Sequence, residues 1–256
     1  MLNDAIHIRP AMKSEARTIA KLFLISSEGL AAYVWQKLAR PDELLLAVGA
    51  KRYAQDDIPC SYRNCLVAER AGRVIGMAHA VPLGSDLPDC YIPGVPDDEV
   101  LRPYRDLCYP ESLFVTGLAV FPAARRQGVA SRLLAAVRER ARGLGYAHLS
   151  LICFEPNEGA CRLYRRHGFA EVTRRTLVPH PLLHYSAGDA LLMAAPVLAE
   201  PAQDDAPDDA PDDAPDAVRE DLRPFAGQDL PGSLPGSLPG DRLHHCGQPI
   251  ELCRCS

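Results

Sequence analysis

Arg125-Arg126-Gln127-Gly128-Val129-Ala130 follows an apolar run, Leu113 to Phe121, that Pro122 closes, and it precedes a stretch of helical periodicity. A strand therefore turns there into a helix N-terminus. The first turn of a helix leaves four N–H groups without intrahelical partners and carries roughly half a positive charge, which suits a phosphate or diphosphate. Gly128 has no Cβ and Ala130 the smallest one, so an anion can approach the backbone, and Arg125 and Arg126 add cationic donors beside it. The same residues would also serve an ordinary strand-to-helix turn with a packing glycine.

A second group follows another strand-like run, Ala147 to Phe154: Asn157-Glu158-Gly159-Ala160-Cys161-Arg162-Leu163-Tyr164, ending at His167-Gly168-Phe169. Ala160, Leu163, Tyr164 and His167 share one helical face; Asn157 is placed to cap the helix and Gly168 to end it. Asn157 can be a cap alone and Tyr164 a core aromatic alone. Both readings are compatible with chemistry, because a phenol can donate a proton and an amide side chain can hold a polar arm.

Together the two groups resemble motifs A and B of the GNAT superfamily of acyl-CoA-dependent N-acyltransferases. Motif A reads Arg or Gln, two residues, Gly, one residue, then Gly or Ala, here Arg125, Gly128 and Ala130; motif B matches Asn157, Ala160, Leu163-Tyr164 and Gly168-Phe169. The resemblance implies acetyl-CoA as cosubstrate and a primary amine as acceptor. It implies that backbone groups of Leu118, Ala119 and Val120 pair with the pantetheine amides. Backbone N–H groups from Arg126 through Gln127, Gly128, Val129 and Ala130 to Ser131 would hold the diphosphate, beside Arg125. Asn157 would help hold the pantetheine arm, and Tyr164 would lie near the thioester sulfur as the acid.

Acyl transfer to a lysine-like amine also needs a base. At a pKa of about 10.4 roughly one such amine in 2,500 is neutral at pH 7, a penalty of about 4.6 kcal/mol. Glu111, at the start of the fourth strand, is the expected base, with Glu155 and His79 as alternatives and a water chain as another. A different class of function is also compatible: a non-catalytic acyl-CoA sensor or scaffold whose acidic tail recruits a basic partner.

These residues must be positioned by a domain, and apolar periodicity extends only to about Leu198. The expected organisation is one domain over residues 1–198 and a disordered tail over 199–256. Residues 1–199 hold 24 Lys and Arg against 20 Asp and Glu, whereas residues 200–256 hold 4 against 13. A mildly basic domain suits a polyphosphorylated ligand but falls short of a nucleic-acid surface. The tail repeats Asp-Asp-Ala-Pro three times and Pro-Gly-Ser-Leu twice, a composition that stays solvated and extended. Its last residues include His244, His245, Cys246, Cys253 and Cys255, whose spacing is poor for structural zinc. No metal is expected. Nine cysteines without a signal-like leader, and no apolar stretch long enough to span a bilayer, point to a cytoplasmic protein.

Patterning predicts a strand at Ile6–Ile8, helical character from Ala16 to Leu38 broken near Gly29, and a helix over 43–53. It predicts a hairpin of 65–69 with 74–81, a long loop over 82–110, a strand over 112–121 and a helix over 126–143. A strand over 147–153, a helix over 157–167 and strands over 169–178 and 188–195 complete the order. The fold class expected from the resemblance is α/β (α+β): a GNAT-like mixed, mostly antiparallel central sheet flanked by helices, its fourth and fifth strands splayed. The long loop would wall the acceptor pocket.

Overall fold

The computed structural model describes residues 5–85 and 98–198. Residues 86–97 of the long loop, and the whole tail with its repeats and terminal His and Cys residues, lie outside the described residues.

The apolar patterns become seven strands and six helices: β1 (His7–Pro10), α1 (Ala16–Ser26), α2 (Leu30–Leu38), α3 (Leu45–Tyr53), β2 (Cys65–Arg70), β3 (Arg73–Pro82), α4 (Arg102–Arg105), β4 (Ser112–Val120), α5 (Val129–Gly143), β5 (His148–Phe154), α6 (Glu158–Arg166), β6 (Ala170–Thr176) and β7 (Asp189–Pro196). They form one sheet in the order β1-β2-β3-β4-β5-β7-β6, with β7 inserted between β5 and β6. Every neighbouring pair is antiparallel except β4 and β5.

Side-chain alternation along the strands assigns the two faces. Val67 and Met77 bury against α1, α2 and α3, while the adjacent Ala68 and Ala78 bury under α5 and α6. On α5, Val129, Leu133, Val137 and Ala141 descend at i+4 steps, and all are buried with Leu134. Each Leu or Val hidden this way contributes about 1.5–3 kcal/mol, so α5 is held by its apolar stripe. Arg138, buried on the same helix, donates to the carbonyls of Pro196 and His167, both at 2.6 Å. That pair of bonds fastens α5 to the end of β7 and to the C-terminus of α6.

The β4–β5 pairing is the feature that makes a site. It runs only from Ser112 opposite His148 to Val115 opposite Leu151, although β4 continues to Val120 and β5 to Phe154. At the point of departure β4 carries a bulge: Ala80 faces Val115 and His79 faces Gly117, leaving Thr116 as the extra residue. A bulge bends and twists its strand, which turns the C-terminal half of β4 away from β5.

Several boundaries differ from the sequence reading by a few residues, and one has a clear backbone cause. The helix expected from residue 126 begins at Val129, because Arg126 (φ 59°) and Gly128 (φ 72°) both take left-handed conformations that a helix cannot include. The break expected near Gly29 does occur, at Glu28 (φ 50°) and Gly29 (φ 92°), consecutive left-handed residues that separate α1 from α2. The long loop also contains the single turn α4. None of the helices among the described residues is long and apolar enough to cross a membrane.

His79 lies in the core, its ring edge-on to Phe23 and Tyr53 at 6.1 and 5.6 Å. Nε2 faces the Pro59 carbonyl at 3.1 Å, and Nδ1 meets the Thr116 hydroxyl. Burial pushes its pKa down to about 4, with the Arg140 charge adding, against the opposing pull of the Pro59 carbonyl.

A Cβ on Gly29 would lie 1.9 Å from the Leu182 carbonyl oxygen, whereas one on Gly72, also left-handed (φ 74°), meets nothing within 4 Å. Gly72→Ala should therefore cost only the left-handed penalty, about 1–2 kcal/mol. Gly29→Ala should cost clearly more, read as a larger fall in melting temperature; equal falls would contradict the packing of Leu182 on this turn. For His79, the unfolded imidazole binds a proton below about 6.5 while the folded one resists until about 4. The His79 contribution is thus fully present above pH 6.5 and is lost progressively as pH drops towards 4. Denaturant titrations should show a smaller fall between pH 6.5 and 5 in His79→Gln; equal slopes would mean that the buried ring charges freely.

Candidate active site

The separation of β4 from β5 opens a cleft of about 640 Å³. One wall is the C-terminal end of β4 with the turn into α5, the other is α6, and the end of α1 with Glu28 closes one side. Glycine permits the third contact: a Cβ on Gly117 would come within 2.8 Å of the Ser26 hydroxyl and 2.9 Å of the Phe23 ring.

At the start of α5, Arg132 is the first residue whose N–H reaches a carbonyl of its own helix, that of Gly128 at 3.1 Å. The four amides before it, Gly128 to Ser131, have no protein acceptor among the described residues. They open the helix beside the cleft that Gly128, Val129 and Ala130 line. A Cβ added to Gly128 would meet nothing within 4 Å, so the space in front of these amides is open to a ligand. Such a cradle, with the helix dipole behind it, fits a diphosphate. Arg125, Arg126, Arg162, Arg165 and Arg166 line the same cleft. The Arg125 Nε–H also donates to the Val120 carbonyl at 3.2 Å, which binds the turn to the strand end.

Asn157 caps α6: its Oδ1 accepts from the Ala160 N–H at 3.0 Å. Its Nδ2 donates to Glu28 Oε1 at 2.8 Å, across 129 residues of sequence. Tyr164, two turns further along α6, is 8% exposed and packs edge-on against Phe169. Burial raises its pKa, helped by Cys153, Cys161 and Glu28, so the phenol stays protonated throughout the neutral range. No protein group takes its hydroxyl among the described residues. At the other end of α6, the Ser131 hydroxyl and His167 Nε2 lie 3.0 Å apart, which joins the helix to the first turn of α5.

The structure thus brings Leu118, Ala119, Val120, Arg125, Arg126, Gly128, Val129, Ala130, Asn157 and Tyr164 to one cleft. Gln127 and Ser131 flank it with side chains engaged elsewhere, Gln127 with Arg70 and the Ala123 carbonyl, Ser131 with His167. Glu111 is not brought there. It is exposed and precedes the first residue of β4, seven residues and about 23 Å of extended chain from Leu118. Glu155 is exposed and paired with Arg174 at 3.0 Å outside the cleft, and His79 is sealed in the core. The acidic residue in the cleft is Glu28, which sequence inspection passes over; only its place before Gly29, at a break in helical period, marks it. No cluster of three or more His, Cys, Asp or Glu suited to a metal occurs among the described residues.

Comparison with known proteins agrees with this geometry. The chain is 32% identical over 96 residues to an uncharacterized N-acetyltransferase, YdgE, of Bacillus subtilis, a match covering 35% of this chain and 61% of that one. It is 34% identical over 95 residues to aminoglycoside N(6')-acetyltransferase type 1 of Klebsiella aerogenes, covering 34% of this chain and 62% of that protein. In both cases the match spans less than two thirds of the relative. An N-acetyltransferase of Staphylococcus aureus Mu50 has a similar fold, with a TM-score of 0.55 at 20% identity over 74% of this chain and 100% of that one. The model of the acetyltransferase (GNAT) family matches residues 32–169, more than half of the chain, and the protein belongs to that family.

Proposed function

We propose that the protein transfers an acetyl group from acetyl-CoA to a primary amine, by direct attack while both are bound in the cleft. The observation that carries this reading is the run of four unpartnered amides, Gly128 to Ser131, opening α5 onto the cleft between β4 and α6. A coenzyme A diphosphate is an anion of matching size and charge, and the guanidinium groups on both walls extend the positive field to a further phosphate.

From that anchor the remaining groups have natural roles. Past Val115 the edge of β4 that faces β5 has no strand partner among the described residues, and only the Val120 carbonyl is engaged, by Arg125. Its free peptide groups can bind a pantetheine arm as a strand binds its neighbour, which removes an otherwise exposed edge. Placed this way, the thioester lies between the end of β4 and Tyr164. Acetyl transfer gathers negative charge first on the carbonyl oxygen and then on sulfur. A backbone N–H near Val120 would stabilise the first. The Tyr164 phenol, kept protonated by burial, donates to the sulfur as it departs. The acceptor amine enters from the side bounded by the end of α1, where Ile25, Ser26 and Glu28 line the cleft. One relative is named for acetylating an aminoglycoside amine. For this chain the acceptor class is a primary amine, with its identity to be found by assaying a panel.

Gly128→Val places a branched side chain in the open space before the amides and should raise the acetyl-CoA Kd by at least a hundredfold by calorimetry. Because residue 128 is left-handed (φ 72°), valine also strains the turn, so the melting temperature should fall while the far-ultraviolet spectrum keeps its native shape. Unchanged affinity would remove this turn from the donor site. Tyr164→Phe removes only the hydroxyl and should lower kcat by about 10²–10⁴ with little change in acetyl-CoA affinity, read as thiol release from acetyl-CoA across an amine panel. A kcat equal to that of wild type would exclude the phenol from the reaction.

A further inference from the structure

Glu28 is the single carboxylate among the described residues that line the cleft. Its side chain is 5% exposed, yet it is not buried without partners. Oε1 accepts from Asn157 Nδ2 at 2.8 Å and Oε2 lies 2.8 Å from His184 Nδ1. The Glu28 carbonyl also accepts from the His184 N–H at 3.0 Å. His184 belongs to the segment between β6 and β7, and its own side chain is 35% exposed. The carboxylate is therefore held from two sides by donors on different elements, with lone pairs to spare on both oxygens.

The backbone adds a second, independent observation. Glu28 has φ 50°, a left-handed conformation that is unfavourable for a non-glycine residue and persists only where the surroundings impose it. Here they do. The Ser27 hydroxyl accepts from the Ala31 N–H at 3.1 Å, and the Leu182 carbonyl lies directly behind Gly29. A relaxed helix through residues 27–30 would not keep this turn. The turn directs the one acidic side chain of the cleft at Asn157, the cap of the helix that carries Tyr164.

Resting on the reading of the cleft as an acetyltransferase site, we propose that Glu28 is the general base that takes a proton from the acceptor ammonium, with Asn157 and His184 as the residues that position it. An ammonium must lose two protons to become an amide nitrogen. The first moves to the Glu28 carboxylate, which frees the lone pair that forms the N–C bond. The second leaves the tetrahedral nitrogen for water as the C–S bond breaks, while Tyr164 protonates the departing sulfur and its phenolate is reprotonated from water. After product leaves, the Glu28 carboxylic acid returns its proton to water. Net, the ammonium and the thioester give an amide, a thiol and one proton. The titratable groups that face Glu28 are His184 from the β6–β7 segment, Tyr164 from α6 and Cys153 from β5.

The test compares wild type, Glu28→Gln and Glu28→Asp with two acceptors of one chain length: an alkyl amine, protonated at neutral pH, and the O-alkylhydroxylamine, whose nitrogen is already unprotonated there. For the alkyl amine E28Q should lose about 10²–10⁴ in kcat/KM, with acetyl-CoA affinity by calorimetry unchanged. Its rate should keep rising with pH towards the pKa of the amine, where the wild-type rate has levelled. With the hydroxylamine the defect should shrink to a few-fold. E28D, which keeps a carboxylate, should retain the wild-type shape of the pH profile at a lower rate. An undiminished alkylamine rate in E28Q, an equal loss with both acceptors, lost acetyl-CoA affinity, or an E28D profile shaped like that of E28Q would each overturn the assignment. Failure of the underlying reading looks different: wild type itself would release no thiol with any amine.

Discussion

The divergence of β4 and β5 past Val115 and Leu151 is the constraint on which the rest depends. Interior peptide groups left without partners are costly, so a sheet that parts in its middle must offer that edge to something else. The sheet tolerates the gap because the bulge at Thr116 turns β4 while β3 still pairs with it through to Val120, and because β7 keeps β5 paired along its whole length. Each diverging strand is then followed by a helix that packs on the same face of the sheet, α5 after β4 and α6 after β5. The gap between strands thereby continues as a gap between helix N-termini.

Charge and backbone conformation reinforce that geometry. Left-handed residues at Arg126 and Gly128 delay the start of α5, which leaves its first amides facing the cleft instead of completing a turn on the preceding residues. Arg138 and the His167–Ser131 contact hold α6 against α5. The wall that carries Asn157 and Tyr164 is thus fixed relative to the anion cradle. Glu28 completes the arrangement from the opposite face of the sheet, where α1 comes close enough to reach the cleft only because residue 117 is glycine.

Local features of this design are legible in the sequence, and long-range ones are not. Period-two and period-3.6 apolar patterns mark every strand of the sheet and the helices α1, α2, α3, α5 and α6. Arg125-x-x-Gly128-x-Ala130 and Asn157 through Phe169 mark the cleft walls because each works within a dozen residues of chain. The insertion of β7 between β5 and β6 leaves no such mark, since it depends on which edge the last strand finds. Glu111 lies away from the cleft for a geometric reason: the start of β4 is the paired end, and the cleft lies at the other end. Glu28 escapes notice because its partners, Asn157 and His184, are 129 and 156 residues away in sequence. Near it in the chain only Gly29, at the break in helical period, hints at a special backbone there.

The central claim is that the amides opening α5 hold the diphosphate of coenzyme A. A heteronuclear NMR titration of the ¹⁵N-labelled protein with acetyl-CoA tests it most directly. The account predicts that the backbone resonances of Gly128, Val129, Ala130 and Ser131 shift most, and that they shift again, in the same direction, with coenzyme A alone. Saturating acetyl-CoA that leaves those four resonances in place would contradict it.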